Sequence, residues 1–183
     1  MIIYVIRHGE TDWSKRAQLQ GRTDTEINET GHLESIRIGD ILKKTDIQCI
    51  ISSPLKRARQ TAEIIADKIG FFSTDINIDE RLIERDFGAA TGKLYENVAK
   101  EIEASVVLGY EDDEKLQNRI EEFFNDLHNI PHKKILIVTH SLVMKTIMDI
   151  VNVDYNYPFP INKMIILNRD NEGTLKYVFD TSL

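Results

Sequence analysis

With 183 residues, 42% of them hydrophobic and 29% charged, the chain has the size and make-up of one ordinary globular domain over residues 1–183. The net charge of −7 excludes a general binder of nucleic acid or of an anionic membrane, since both need a basic face. Cys49 is the only cysteine, so an intrachain disulfide is excluded and a reducing, cytoplasmic setting is expected.

The first element is a strand, Ile2-Ile3-Tyr4-Val5-Ile6, apolar and rich in β-branched residues. It is too short for a signal peptide, and no later run reaches the ~20 apolar residues of a membrane span. The strand stops at Arg7-His8-Gly9-Glu10-Thr11, where Gly9 is expected to let the backbone come close to a ligand. Thr30-Gly31 opens a helix whose apolar face is expected from Leu33, Ile36, Ile41 and Leu42. A second strand, Gln48-Cys49-Ile50-Ile51, leads into a helix from Leu55 to Ile69, with Ser53 expected as N-cap, Pro54 at the first helical position and Gly70 as the stop. Residues 85–110 read as loops and a short helix over the sheet edge. Glu111 to Leu127 forms an amphipathic helix with Leu116, Ile120, Phe123, Phe124 and Leu127 as its stripe. That stripe suits either inward packing or a dimer face. Lys134 to Thr139 is a continuous apolar strand of the kind buried on both faces, followed directly by a helix from Leu142 to Val151. Two late strands, Met164 to Leu167 and Leu175 to Phe179, are joined through Asn171-Glu172-Gly173. The alternation predicts a three-layer α/β/α sandwich: a mostly parallel central sheet with an antiparallel strand near the C-terminus.

In an open α/β sheet, ligands bind beyond the carboxyl ends of the strands. Four chemically loaded segments fall there: Arg7-His8-Gly9, Leu55 to Ala62 with Arg57, Leu82 to Gly88 with Glu84, and Val138-Thr139-His140-Ser141. The last ends a buried strand at a helix N-terminus, whose free N–H groups favour an anion. Each segment alone has a bland reading. Arg57 or Arg59 could be a solvated cation, Glu84 a surface carboxylate, and His140 a core histidine. Together they describe a histidine that meets an oxyanion.

The set resembles the histidine phosphatase superfamily, the phosphoglycerate-mutase-like group. Arg7-His8-Gly9-Glu10-Thr11 matches its Arg-His-Gly hallmark, and Ser52 to Glu63, Leu82 to Gly88 and Val138-Thr139-His140 match its later blocks. Gly21-Arg22-Thr23-Asp24 with Ile27 to Gly31 is similar to its Gly-x-x-Asp…Leu-Thr-x-x-Gly stretch. The resemblance implies His8 as nucleophile, Arg7, Arg57 and His140 as the clamp on the phosphoryl oxygens, and Glu84 as proton donor to the leaving oxygen and activator of water. It also implies phosphate contacts from Ser14, Gln20, Gly21 and Ser141. No metal or other cofactor is expected, because arginine and histidine supply the charge; His32, His128 and His132 have no ligand spacing. The chain departs from the pattern at Ser14, where relatives carry Asn, at Ser141, where they carry Gly, and at Ala90-Thr91-Gly92, where many have Trp-Glu-Gly.

The expected reaction is metal-independent hydrolysis of a small phosphorylated metabolite through a phosphohistidine, by a monomer or homodimer. The alternatives are a phosphoglycerate mutase using 2,3-bisphosphoglycerate, or a catalytically silent member of the fold. Only 56 positions separate Glu84 from His140 (140 minus 84), and Glu111-Asp112-Asp113-Glu114 makes their centre acidic. Mutases of the group carry a long basic insertion there, so hydrolysis is favoured. Lys15, Arg16, Gln20, Arg22 and Tyr95 are candidates for the mouth. A serine hydrolase centred on Ser141 is excluded by bulky flanking residues and by the absence of a later histidine. A cysteine phosphatase is excluded because Leu55 stands where the arginine after Cys49 is needed.

Overall fold

The computed structural model describes residues 1–154 and 163–182. Its elements are β1 (Ile2–Arg7), α1 (Asp12–Lys15), α2 (Glu29–Leu42), β2 (Cys49–Ser52), α3 (Lys56–Ile69), β3 (Asn77–Ile78), α4 (Tyr95–Glu103), α5 (Asp113–Asp126), β4 (Lys134–Thr139), α6 (Ser141–Ile150), β5 (Lys163–Arg169) and β6 (Leu175–Ser182). The six strands form one sheet in the order β3-β2-β4-β1-β5-β6. β1, β2, β3 and β4 run parallel, whereas β5 is antiparallel to both β1 and β6.

The central strands are apolar throughout because helices cover both faces. Ile135 and Ile137 of β4 join Ile3, Val5 and the helices α5 and α6 in one core. Leu136 and Val138 face the other way, with Ile6, Ile50 and the helices α2 and α3. The stripe of α5 packs inward, with Leu116, Ile120, Phe123 and Phe124 all buried.

Two expectations need correction. In α2 the buried positions are Gly31, Ser35, Ile38, Gly39 and Leu42, whereas Leu33 and Ile41 are exposed. The helix approaches its neighbours through small residues, and Gly39 lies against the Lys68 side chain of α3. In α3, Ser53 is not the N-cap. The helix begins two residues after Pro54, at Lys56, and the amide of Lys56 donates to Asp24 Oδ1 at 2.6 Å. The Ser53 hydroxyl is taken by His140 instead (2.7 Å). Gly70 stops the helix in a left-handed conformation, φ 76°, as expected.

Register and packing bring the site together at the carboxyl edge. Arg7 of β1 is paired with Thr139 of β4, and the His8 amide continues the ladder to the Thr139 carbonyl (2.9 Å). The Ser53 amide does the same from β2 to Val138 (3.0 Å). His8, Ser53 and His140 therefore leave three neighbouring strand ends together. Gly9 also allows a close approach within the chain. It meets the backbone of α2, where a Cβ would lie 2.5 Å from the Gly31 carbonyl oxygen. In return, a Cβ on Gly31 would lie 2.6 Å from the Glu10 amide nitrogen. Asn28 caps α2 by accepting from the Gly31 amide (3.0 Å) and also donates to the Glu10 carboxylate (3.0 Å).

Gly31→Ala tests this contact. Helix propensity alone would stabilise the variant by about 1 kcal/mol. Overlap with the loop after His8 is expected to reverse the sign and cost about 2 kcal/mol in urea unfolding.

Candidate active site

A cavity of about 370 Å³ opens at this edge, and its lining includes Arg7, His8, Arg57 and Glu84 with Ser14, Gln20, Gly21 and Ser141. Seven of the eight expected site residues other than His8 itself thus surround His8. His140 alone is not part of the lining. It lies behind the cavity, fully buried, its ring centroid 5.2 Å from that of His8.

The hydrogen bonds of His8 define its chemical state. Nδ1 is 2.8 Å from the Gly9 carbonyl oxygen, which can only accept, so Nδ1 carries the proton. Nε2 is 3.2 Å from Arg57 Nε, which can only donate, so Nε2 offers a lone pair. Burial, then Arg57, then Arg7 push the imidazole well below its ordinary pKa, and the ring is neutral. Burial followed by Arg57, His8 and Arg7 does the same to His140. Its Nε2 pairs with Ser53 Oγ, and its buried Nδ1 has no hydrogen-bond partner among the described residues.

Arg57 is fully buried, and burial lowers its guanidinium to about 10, which leaves it charged at neutral pH. Desolvation of this cation is offset by acceptors from one loop. Its Nη1 donates to the Thr23 carbonyl (2.7 Å) and its Nη2 to the Gly21 carbonyl (2.8 Å). Gly21 sits at φ 49°, in the left-handed region where glycine is favoured. The same loop supplies Asp24, the distant cap of α3. Thr61, one turn along α3, accepts from the Gly9 amide (3.0 Å) and donates to the Arg57 carbonyl (2.8 Å).

Gln20 is oriented by two hydroxyls. Thr11 and Thr25 donate to its Oε1 at 3.0 and 2.5 Å, which leaves the amide nitrogen as the end available to an acceptor. The Ser14 hydroxyl is engaged in the capping box of α1, donating to the Thr11 carbonyl (3.0 Å) and accepting from the Thr11 amide (2.9 Å). Ser141 opens α6, and the next amide, that of Leu142, faces Glu84 Oε2 at 3.5 Å. Glu84 Oε1 accepts from the Arg85 amide (2.9 Å).

Arg22 does not line the mouth. It reaches the Glu84 carbonyl (3.5 Å) and Glu111 (3.3 Å). Glu111 is not part of an exposed acidic run, since its side chain is buried. Burial would raise its carboxyl, but Arg119, the Asp86 amide and Arg22 together hold it below its usual value. It bonds Arg119 at 2.9 and 3.0 Å and the Asp86 amide at 3.2 Å, so it pins the segment that carries Glu84. Sequence reasoning also passed over Ser53, Thr61 and Asp24 as parts of the site. A polar residue beside each motif was the available signal, but their partners lie 32 to 87 positions away. Lys15 and Arg16 are exposed and outside the lining, whereas Tyr95 is part of it. Cys49 is buried in β2, and the side chain of His128 lies outside the described residues.

A mostly parallel α/β sheet with two neutral histidines and two arginines at its carboxyl edge suits a protein that handles an oxyanion such as a phosphoryl group. The family model of the histidine phosphatase superfamily (branch 1) matches residues 3–162, and the chain belongs to that family, as an enzyme of the phosphoglycerate-mutase-like type. It is 33% identical over 147 residues to the uncharacterized phosphatase PhoE of Bacillus subtilis (strain 168), covering 80% of this chain and 75% of PhoE. It is 29% identical over 154 residues to the "Probable phosphoglycerate mutase GpmB" of Salmonella paratyphi A, covering 78% and 70%. Among solved structures, Bacillus stearothermophilus YhfR superposes with a TM-score of 0.82 at 26% identity, covering 96% of this chain and 94% of YhfR. The mycobacterial glucosyl-3-phosphoglycerate phosphatase shares the fold, with a TM-score of 0.80 at 20% identity, covering 97% and 95%.

Two measurements check the site's electrostatics. Because folding depresses both histidine pKa values, the stability they allow is complete above the ordinary pKa of 6.5. Below it, protonation of the unfolded chain removes up to about 1.4 kcal/mol per pH unit for each ring. Denaturant unfolding at pH 5 to 8 is expected to show this slope, and the His8→Asn/His140→Asn double variant to lose it. Glu111→Ala leaves Arg119 without its buried partner and is expected to cost about 3 kcal/mol. Glu114→Ala, at an exposed position, should cost next to nothing.

Proposed function

We propose that the protein hydrolyses phosphate monoesters through a phosphohistidine at His8. The fixed tautomer of His8 carries this reading: a neutral ring with its Nε2 lone pair beside Arg57, in a cavity also lined by Arg7 and Glu84. In the first step Nε2 attacks phosphorus, an N–P bond forms and the P–O bond to the leaving alcohol breaks. Glu84 gives its proton to the departing oxygen. In the second step Glu84 takes a proton from water, the water oxygen attacks phosphorus and the N–P bond breaks. The products are inorganic phosphate and free His8.

Arg7 and Arg57 neutralise charge on the phosphoryl oxygens, aided by the N-terminus of α6. His140 supports the same oxygens through its unsatisfied Nδ1, once that nitrogen carries the proton. Gln20 contributes its oriented amide, and Gly21 acts through Arg57. These groups supply the charge stabilisation that a metal provides in other phosphatases, which supports a metal-independent reaction. Hydrolysis is preferred to mutase chemistry because, among the described residues, the cavity lining has no lysine or arginine beyond Arg7 and Arg57 to hold a bisphosphorylated intermediate.

The test is phosphate release from a panel of phosphate monoesters in EDTA, with 3-phosphoglycerate assayed with and without 2,3-bisphosphoglycerate. His8→Ala is expected to lower turnover at least about 10³-fold, and Glu84→Gln about 10²- to 10⁴-fold. Interconversion of phosphoglycerates without net release would identify a mutase instead.

A further inference from the structure

Resting on that reading, we propose that the leaving group of the substrate is an uncharged alcohol with an apolar, aryl or alkyl, face. The cavity lining is of two chemical kinds. Arg7, Arg57, Glu84 and Gln20 line it together with His8, and Ala17, Leu19, Phe87 and Tyr95 add an apolar wall. Leu19 and Phe87 belong to a separate apolar cluster with Ala90 and Val98, so the wall is backed by its own small core.

The wall is also built in advance of any ligand. The Leu19 amide donates to the Lys93 carbonyl (2.9 Å), the Gly92 amide to the Leu19 carbonyl (2.8 Å), and the Tyr95 amide to the Ala17 carbonyl (3.1 Å). Gln18, the polar residue on this side, donates its side-chain amide to the Gly92 carbonyl (2.7 Å).

Charge decides against an acidic leaving group. The lining holds two guanidiniums and one carboxylate, and both guanidiniums act on His8. With Glu84 carrying the proton it gives to the leaving oxygen, a dianionic phosphoryl group already balances the two guanidiniums. Arg22, the nearby candidate for a second anion, is turned to Glu111 and the Glu84 carbonyl. Arg85 is turned to Tyr110 and Asp113. A carboxylate or second phosphate on the leaving group would therefore be desolvated against the apolar wall, with no further cation among the described lining residues. An aromatic or alkyl group would bury its surface on Phe87, Leu19 and Tyr95.

The experiment compares two esters of primary alcohols of similar acidity, phenylpropyl phosphate and the phosphate ester of hydroxybutanoate, in EDTA. Wild type, His8→Ala and Tyr95→Arg are assayed side by side. The expected result is a kcat/KM at least about tenfold higher for the phenylpropyl ester. Tyr95→Arg, a change at an exposed position, is expected to narrow or invert that ratio. Turnover that depends on His8 but is equal for the two esters, or faster for the carboxylated one, would overturn the inference and leave the hydrolase reading standing. Turnover of neither ester would overturn both.

Discussion

Everything at the carboxyl edge of the sheet depends on holding one imidazole between two partners that cannot change roles. A carbonyl oxygen cannot donate and an arginine Nε cannot accept, so His8 has one tautomer compatible with the folded chain. Such a ring needs burial to stay neutral and a nearby cation to oppose protonation, and Arg57 provides both the donor and the charge. Burying Arg57 creates the next requirement. A desolvated guanidinium needs acceptors, and the loop from Gly21 to Thr25 bends over the start of α3 to provide them. The positive φ of Gly21 and the cap given by Asp24 both follow from that need.

A second frame holds Glu84. Its segment has little regular structure, so it cannot be placed by a ladder of main-chain bonds as His8 and His140 are. Glu111 substitutes for that ladder, its buried carboxylate joining Arg119, the Asp86 amide and the more exposed Arg22. Buried ion pairs contribute little net stability, but one-sided loss is costly, which makes the arrangement of this loop specific.

The sheet and the convergence of these side chains on one cavity were legible in the sequence for the same reason. Buried parallel strands must be continuously apolar, so their ends, and the reactive residues just beyond, stand out against them. β4 was read with its observed limits, and Arg7, His8, Arg57 and Glu84 were read from their positions after strands or on the helices that follow. What escaped was decided by distant partners. Nothing near Ser53 says that His140 will take its hydroxyl, and nothing near Lys56 says that Asp24 will cap it. Nothing near Gly9 says that it will pack against Gly31 of α2. The face of α2 was misread because periodicity weighs apolar side chains, and this helix docks through glycine and serine.

The loop that feeds Arg57 sets how the enzyme can move. Its carbonyls hold a guanidinium that in turn meets the His8 ring, while its aspartate caps a fourteen-residue helix. Lifting the loop would strip a buried cation and fray α3 in one event, so a hinge at this position is closed to the protein. The part of the cavity wall that Gly21 forms is thus tied to the same buried guanidinium that meets the His8 ring.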